Sequence, residues 1–191
     1  MPVYTYTTLD DPLAVGLHTL GTGINDAGQI VGFYQNASGY HGFVLSSGTY
    51  TPVDDPLASN GTFAQGINAT GQIVGYYQDA SGAHGFLFSG GTYTSLNDSL
   101  LGSFGTTALG MNDAGQIVGF YRDSNTAHGF LLSGNTYTPL DDPSAGRFGT
   151  SANGINNAGQ IVGHYYDNHD KPHGFLYNPN GGYTTDRKSV V

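Results

Sequence analysis

The chain has 191 residues, of which 38% are hydrophobic and only 10% charged, with 31 Gly, 14 Tyr, no Cys and a formal net charge of −9. Few charges beside many aromatics exclude a disordered polymer, and the acidic balance excludes the basic surface that nucleic acid or anionic lipid would need. Without Cys there is no disulfide frame, thiolate metal site or thiol nucleophile, and no apolar run approaches the roughly 20 residues of a membrane-spanning helix. All 14 acidic residues are Asp, which suits turns better than helices.

In chain order, Met1-Pro2 leads directly into Tyr4–Pro12 (YTYTTLDDP), with no signal-peptide pattern. This segment matches Thr49–Pro56 and Thr136–Pro143, so it reads as an outer strand with its exit loop. A phrase, GIN-x-x-GQIVG, an aromatic pair, HGF and G-x-YT, then recurs from Gly23, Gly66, Gly110 and Gly154, every 43 or 44 residues. Such a period marks supersecondary units that bury their apolar faces only by stacking on one another.

Within the second copy, the strands expected are Thr62–Asn68, Gln72–Gln78, His84–Phe88 and Thr92–Leu96, joined by short Gly- and Asp-rich hairpin loops. Four antiparallel strands in about 44 residues is the size of a propeller blade. The first strand is small on one face in every copy (Gly21/Gly23, Ala64/Gly66, Ala108/Gly110, Ala152/Gly154), which suits the crowded innermost position.

The expected fold is therefore all-β, a β-propeller of about four blades in a single repeat domain, 1–185. Its repeats are approximately 13–56, 57–99, 100–143 and 144–185, with 1–12 a closing or leftover outer strand that would complete the last blade. The final six residues, 186–191, fit nothing in the pattern. They match what a widely used sequencing adapter encodes in one frame, and are expected to be a non-native tail on a reading frame assembled from metagenomic reads, cut from a longer protein.

The repeated GIN-x-x-GQIVG-x-Y…HGF at Gly23–Phe43, Gly66–Phe86, Gly110–Phe130 and Gly154–Phe175 resembles the HAF-type extracellular repeat of bacteria, with HGF in place of HAF. The resemblance covers about 160 residues. It implies an extracellular or cell-envelope repeat protein and brings no catalytic residue or ligand with it.

Four sets of residues could carry chemistry. His41, His84, His128 and His173 recur once per copy; they could converge on a metal, but a residue present in every unit is better explained by a hydrogen bond within its own blade, for instance to an Asp. The pairs Asp10-Asp11, Asp54-Asp55 and Asp141-Asp142 precede Pro, with Asn97-Asp98 in the third copy. They share an expected face with Asp79, Asp123 and Asp167, and favour a turn over a calcium loop. Residues that break the repeat are the third set. His164 replaces Phe33, Tyr76 and Phe120, and the loop Asp167–His173 adds a residue, making His164, His169 and Asp170 weak catalytic candidates and Asp167, His169 and His173 weak metal ligands, with calcium or a transition metal as the cofactor classes. His18, Gln65, Asn153, Arg122 and Arg147 also break the pattern on that face; Gln65, Asn153, Asp55, Asp142, Arg122 and Arg147 are the ligand-binding candidates. The last set, Tyr34, Tyr77, Tyr121, Tyr165 and the Phe of each HGF, reads as inter-blade packing, with sugar binding as an alternative that rests on fold analogy.

No G-x-S-x-G, phosphate-binding glycine loop or Glu pair is present. The expectation is an exported binding or scaffold module for a glycan or other small polar ligand, binding through Asp- and Asn-rich loops, and a binder is favoured over an enzyme. The alternative is a secreted hydrolase with an Asp/His site, metal-assisted or not. Unpaired edge strands would allow a homo-oligomer.

Overall fold

A computed structural model describes residues 4–16, 18–96, 104–124 and 126–185; Asn97-Asp98 and the tail 186–191 lie outside them. Every element among these residues is a strand, and the strands form four separate antiparallel sheets, each a simple meander. The first sheet is β1–β4 (Thr19–Ile24, Ile30–Asn36, Gly39–Ser46, Thr49–Pro52) and the second β5–β8 (Gly61–Ile67, Ile73–Asp79, Gly82–Ser89, Thr92–Ser95). The third is β9–β12 (Thr106–Met111, Ile117–Arg122, Ala127–Ser133, Thr136–Pro139) and the fourth β13–β16 (Thr150–Ile155, Ile161–Tyr166, Pro172–Asn178, Gly182–Thr185).

The repeated motif explains each sheet locally. In GIN-x-x-GQ, the Asn25 carbonyl accepts from Gly28 N at 2.9 Å, and Gly28 takes a left-handed φ of 73° that favours glycine. The Asn25 side chain closes the same turn, accepting from Gln29 N (3.0 Å) and donating to Gln29 Oε1 (2.8 Å). Asn68, Asn112 and Asn156 repeat this arrangement. The four turns together line one polar depression of about 240 Å³, so the sheets fan about a common centre.

Three apolar clusters glue consecutive sheets. Val31, Val74 and Val118 each project from one sheet onto the Ile and Ala side chains of the next, namely Ile73 and Ala64, Ile117 and Ala108, and Ile161 and Ala152. The HGF phenylalanines Phe43, Phe86 and Phe130 are fully buried. The first strand is innermost, as its small residues imply. A Cβ on Gly66 would meet the Cα of Gly110 at 3.3 Å, and one on Gly110 would meet Gly154 at 3.2 Å, so backbones touch where side chains cannot fit.

One expectation is corrected. The N-terminal segment does not complete the last sheet. Gly182–Thr185 already holds that edge, paired with β15, while residues 4–10 form no strand and Tyr4 and Tyr6 are exposed. The exit loop that follows them lies instead on the first sheet, where Asp11 N donates to Thr19 Oγ1 at 3.0 Å.

Candidate functional site: grooves between sheets

Each repeated His is used inside its own sheet. Its ring stacks on the preceding Tyr (Tyr34–His41, Tyr77–His84, Tyr121–His128, Tyr165–His173) at 4.9–5.2 Å between centroids. His41 Nδ1 bonds Asp54 Oδ2 (2.9 Å), and His128 spans Asp141 (2.8 Å) and Asp123 (3.2 Å). His84 bonds Asp79 and His173 bonds Asp167, each at 3.0 Å. These imidazoles sit on third strands and do not meet at the centre, so the convergent-metal alternative is overturned.

Two of the Asp pairs, Asp54-Asp55 and Asp141-Asp142, divide their labour. The first orients the His; the second turns the chain into the next sheet. Asp55 N donates to Thr62 Oγ1, and its Oδ1 accepts from Leu57 N at 2.9 Å; Asp142 does the same with Thr150 and Ser144. Asp55 and Asp142 are buried, which removes both from the ligand-binding candidates. The pattern-breaking loop is also locally tied. Asp167 Oδ1 accepts from His169 N and Lys171 N, and Asp170 forms an ion pair with Arg147. Among the described residues no group of three His or Asp is placed to hold a metal, and Asp167, His169 and His173 do not form one.

These contacts predict a stability profile in pH. Burial pushes the His128 imidazole down, but hydrogen bonds and charge from Asp141 and then Asp123 outweigh it and leave the pKa above 6.5. Asp79 is held down to about 2, first by the Ser81 hydroxyl and amide, and Asp167 to about 2, first by the Lys171 amide and then by His173. A raised His stabilises below its unfolded pKa and loses that contribution as pH rises through the folded one; a lowered Asp stabilises above 3.8 and loses it towards 2. Melting temperature should therefore be highest between about 4 and 6.5, with the alkaline decline flattened in His128→Asn. Parallel alkaline slopes in the two proteins would contradict the assignment.

What remains open lies between sheets. The first and second sheets are sealed by aromatics: Phe63 stacks on Tyr76 (4.8 Å) and packs against Phe33 and Tyr40 (both 5.1 Å). In the next two junctions the equivalents of Phe63 are Thr107 and Ser151, and those of Tyr40 are Ala83 and Ala127. Two grooves open there. The one between the second and third sheets encloses about 350 Å³, with Gln65, Tyr76, Gln78, Phe104, Phe120 and Arg122 on its walls. The other, between the third and fourth sheets, encloses about 180 Å³ and is walled by Phe120, Arg122, Phe148, Ser151, His164 and Tyr166.

Phe104 and Phe148 replace Asn60 at the groove rims and are 67% and 49% exposed, whereas Phe63 is buried. The aromatic has moved three residues, from plug to rim. Arg147 stacks on Phe148 at 4.7 Å, so the Asp170–Arg147 pair props one wall. Arg122 lies over Phe120 at 5.6 Å and faces both grooves. Burial raises the Tyr76 phenol above 10, keeping it a neutral hydrogen-bonding group.

Of the candidates drawn from sequence, Gln65 and Arg122 meet in the larger groove, and Arg122 and His164 in the smaller. Gln65 and Asn153 occupy the inner-strand bulge, the residue skipped in the register with the second strand; bulges re-aim side chains in this way. Asn153 is exposed there. Phe104, Phe148, Thr107 and Ser151 were missed, although lining up the four copies shows NGTF giving way to FGTT and FGTS.

The architecture defines a β-propeller-like repeat protein. The chain matches no protein-family model and no curated protein. Among solved structures it is similar to the lectin of Aleuria aurantia. An N224Q mutant of that lectin in complex with Fucα1-6GlcNAc gives a TM-score of 0.55 at 17% identity, covering 82% of this chain and 56% of the lectin. A crystal structure described as a six-bladed β-propeller with a novel fucose recognition mode gives 0.52 at 16% identity, over 82% and 55%. This chain thus spans little more than half of these lectins. No helix among the described residues is long and apolar enough to cross a membrane.

Proposed function

We propose that this is an exported glycan-binding module of the HAF-repeat type, with one sugar site in each of the two grooves rimmed by Phe104 and Phe148. The observation that carries the proposal is the displaced aromatic: Phe104 and Phe148 stand exposed at the mouths of grooves left open by Thr107 and Ser151, which replace the sealing Phe63 of the first junction. Large exposed aromatics beside a cleft mark binding surfaces. An aromatic ring offers a flat face to the apolar side of a pyranose, while Gln65, Gln78 and Arg122 supply amide and guanidinium groups for its hydroxyls. The likeness to fucose-complexed propeller lectins supports a sugar ligand. Two sites in one chain would raise avidity for clustered glycans without strong single contacts.

The test is titration calorimetry with α-methyl-L-fucoside, preceded by a glycan array to choose the best sugar. Two sites per chain are expected. Ala83→Tyr with Thr107→Phe rebuilds the sealed first junction in the second and should remove one site while leaving the other. An array without hits, or an unchanged stoichiometry in the double variant, would reject the proposal.

A further inference from the structure

The two ends of the array are built like its interior. Val31, Val74 and Val118 are 0% exposed because the following sheet lies on them, but Val162, at the same register position in the fourth sheet, is 52% exposed. At the other end Ile24 is 66% exposed, whereas its equivalents Ile67 and Met111 are 8%. Single exposed apolar residues are ordinary; these two sit where the internal junctions bury the same positions, fully at Val31, Val74, Val118, Ile67 and Met111 and partly at Ile155.

The backbone features stop at the same places. A Cβ on Gly23, Gly66 or Gly110 would touch the inner-strand glycine of the next sheet, yet one on Gly154 would meet only Val162 of its own sheet. Asn25 and Asn112 each donate Nδ2 to the carbonyl of the equivalent Asn one sheet on, at 3.0 and 3.1 Å, and Asn68 does so at 3.5 Å. The Asn156 side chain bonds only within its own turn among the described residues. The first sheet, meanwhile, already carries the loop that a preceding sheet would deliver. Asp11 binds Thr19 Oγ1 and Leu13 N as Asp55 binds Thr62 and Leu57.

We infer that these two faces are the halves of one interface, and that a second copy of the chain docks head to tail, its first sheet on the fourth sheet of the first copy. The contact continues the three junctions inside the chain: Val162 would lie on the partner's Ile30 and Gly21 positions as Val118 lies on Ile161 and Ala152, and Asn156 would reach the partner's Asn25 carbonyl. Face-to-face docking of two fourth sheets satisfies none of this, because it sets Val162 against Val162 and an amide donor against another donor. The interface is therefore heterologous, and added copies either close a ring about the common centre or continue as a spiral.

Light scattering on the full chain tests it. The wild type should show a mass of two chains or more, rising with concentration. Ile24→Asp and Val162→Asp, both at exposed sites, should each give single chains with the circular dichroism of the wild type; Ile24→Thr and Val162→Thr serve if either Asp variant unfolds. Mixing the two variants should restore a two-chain species and nothing larger, because each keeps the face the other has lost. A wild type that stays at one chain mass at every concentration overturns the inference and leaves the faces to repeats on a different polypeptide. Failure of the mixed variants to pair overturns the head-to-tail geometry.

Discussion

Phe86→Ala is expected to cost about 3–5 kcal/mol, the range for emptying a buried aromatic site. The ring is fully buried and packs among Val31, Val53, Ala64, Ile73 and Tyr77, which come from two different sheets. Its edge also meets the Tyr93 ring at 5.6 Å and 68°. Neither sheet can collapse into the space alone, because each is held by its own ladder and by the glycine contacts of the inner strands. The loss therefore falls on the junction as well as on the second sheet, and it should appear in urea denaturation followed by tyrosine fluorescence, the chain having no Trp. A midpoint shift equivalent to less than about 1 kcal/mol would mean that the junction repacks freely, against the close-packed interior described above.

The period made most of this fold legible. Strand positions in the second copy fall within two residues of those observed, because apolar pairs, turn glycines and the Asn of GIN recur in fixed phase. The small residues of the first strand gave its inner position, and the repeated His showed their own role: a side chain present in every unit serves the unit, here by stacking on Tyr and binding Asp. The N-terminal segment shows where likeness of sequence fails. Tyr4–Pro12 resembles an outer strand and its exit loop, and the loop does sit where exit loops sit, yet resemblance names an element and leaves its partner open.

The grooves were harder to see for a related reason. A gap between sheets depends on pairs of residues from different copies, such as Tyr40 with Phe63 against Ala83 with Thr107. Reading for pattern-breaking polar residues found Gln65, Arg122 and His164, which line these gaps, whereas reading the repeated Asp pairs as ligand loops chose Asp55 and Asp142, whose carboxylates close buried turns. Polarity alone cannot separate the two groups. Burial does, and burial is a property of the neighbouring sheet.

Gly119→Ala is expected to be at least as damaging as the loss of Phe86, for the opposite reason. A Cβ there would stand 2.0 Å from the Thr107 carbonyl oxygen and 3.0 Å from both Ala108 Cα and the Phe130 ring. Overpacking usually costs about 1–3 kcal/mol when side chains can yield; here the obstacle is the backbone of β9. That strand slips register between Val118 and Gly119, where the bulge at Leu109 brings the Thr107 carbonyl under the glycine. Relief requires β9 to move away from β10, which breaks their ladder and lifts Gly110 from its contacts with Gly66 and Gly154. The same crowding holds at Gly32, Gly75 and Gly163, where the nearest backbone oxygen would lie 1.9–2.1 Å from the added carbon. The cost should therefore exceed about 3 kcal/mol, with the third sheet losing its protection from hydrogen exchange before the first. An alanine variant with wild-type midpoint and exchange pattern would show that the inner strands do not pack backbone to backbone, and the propeller-like arrangement would lose its physical basis.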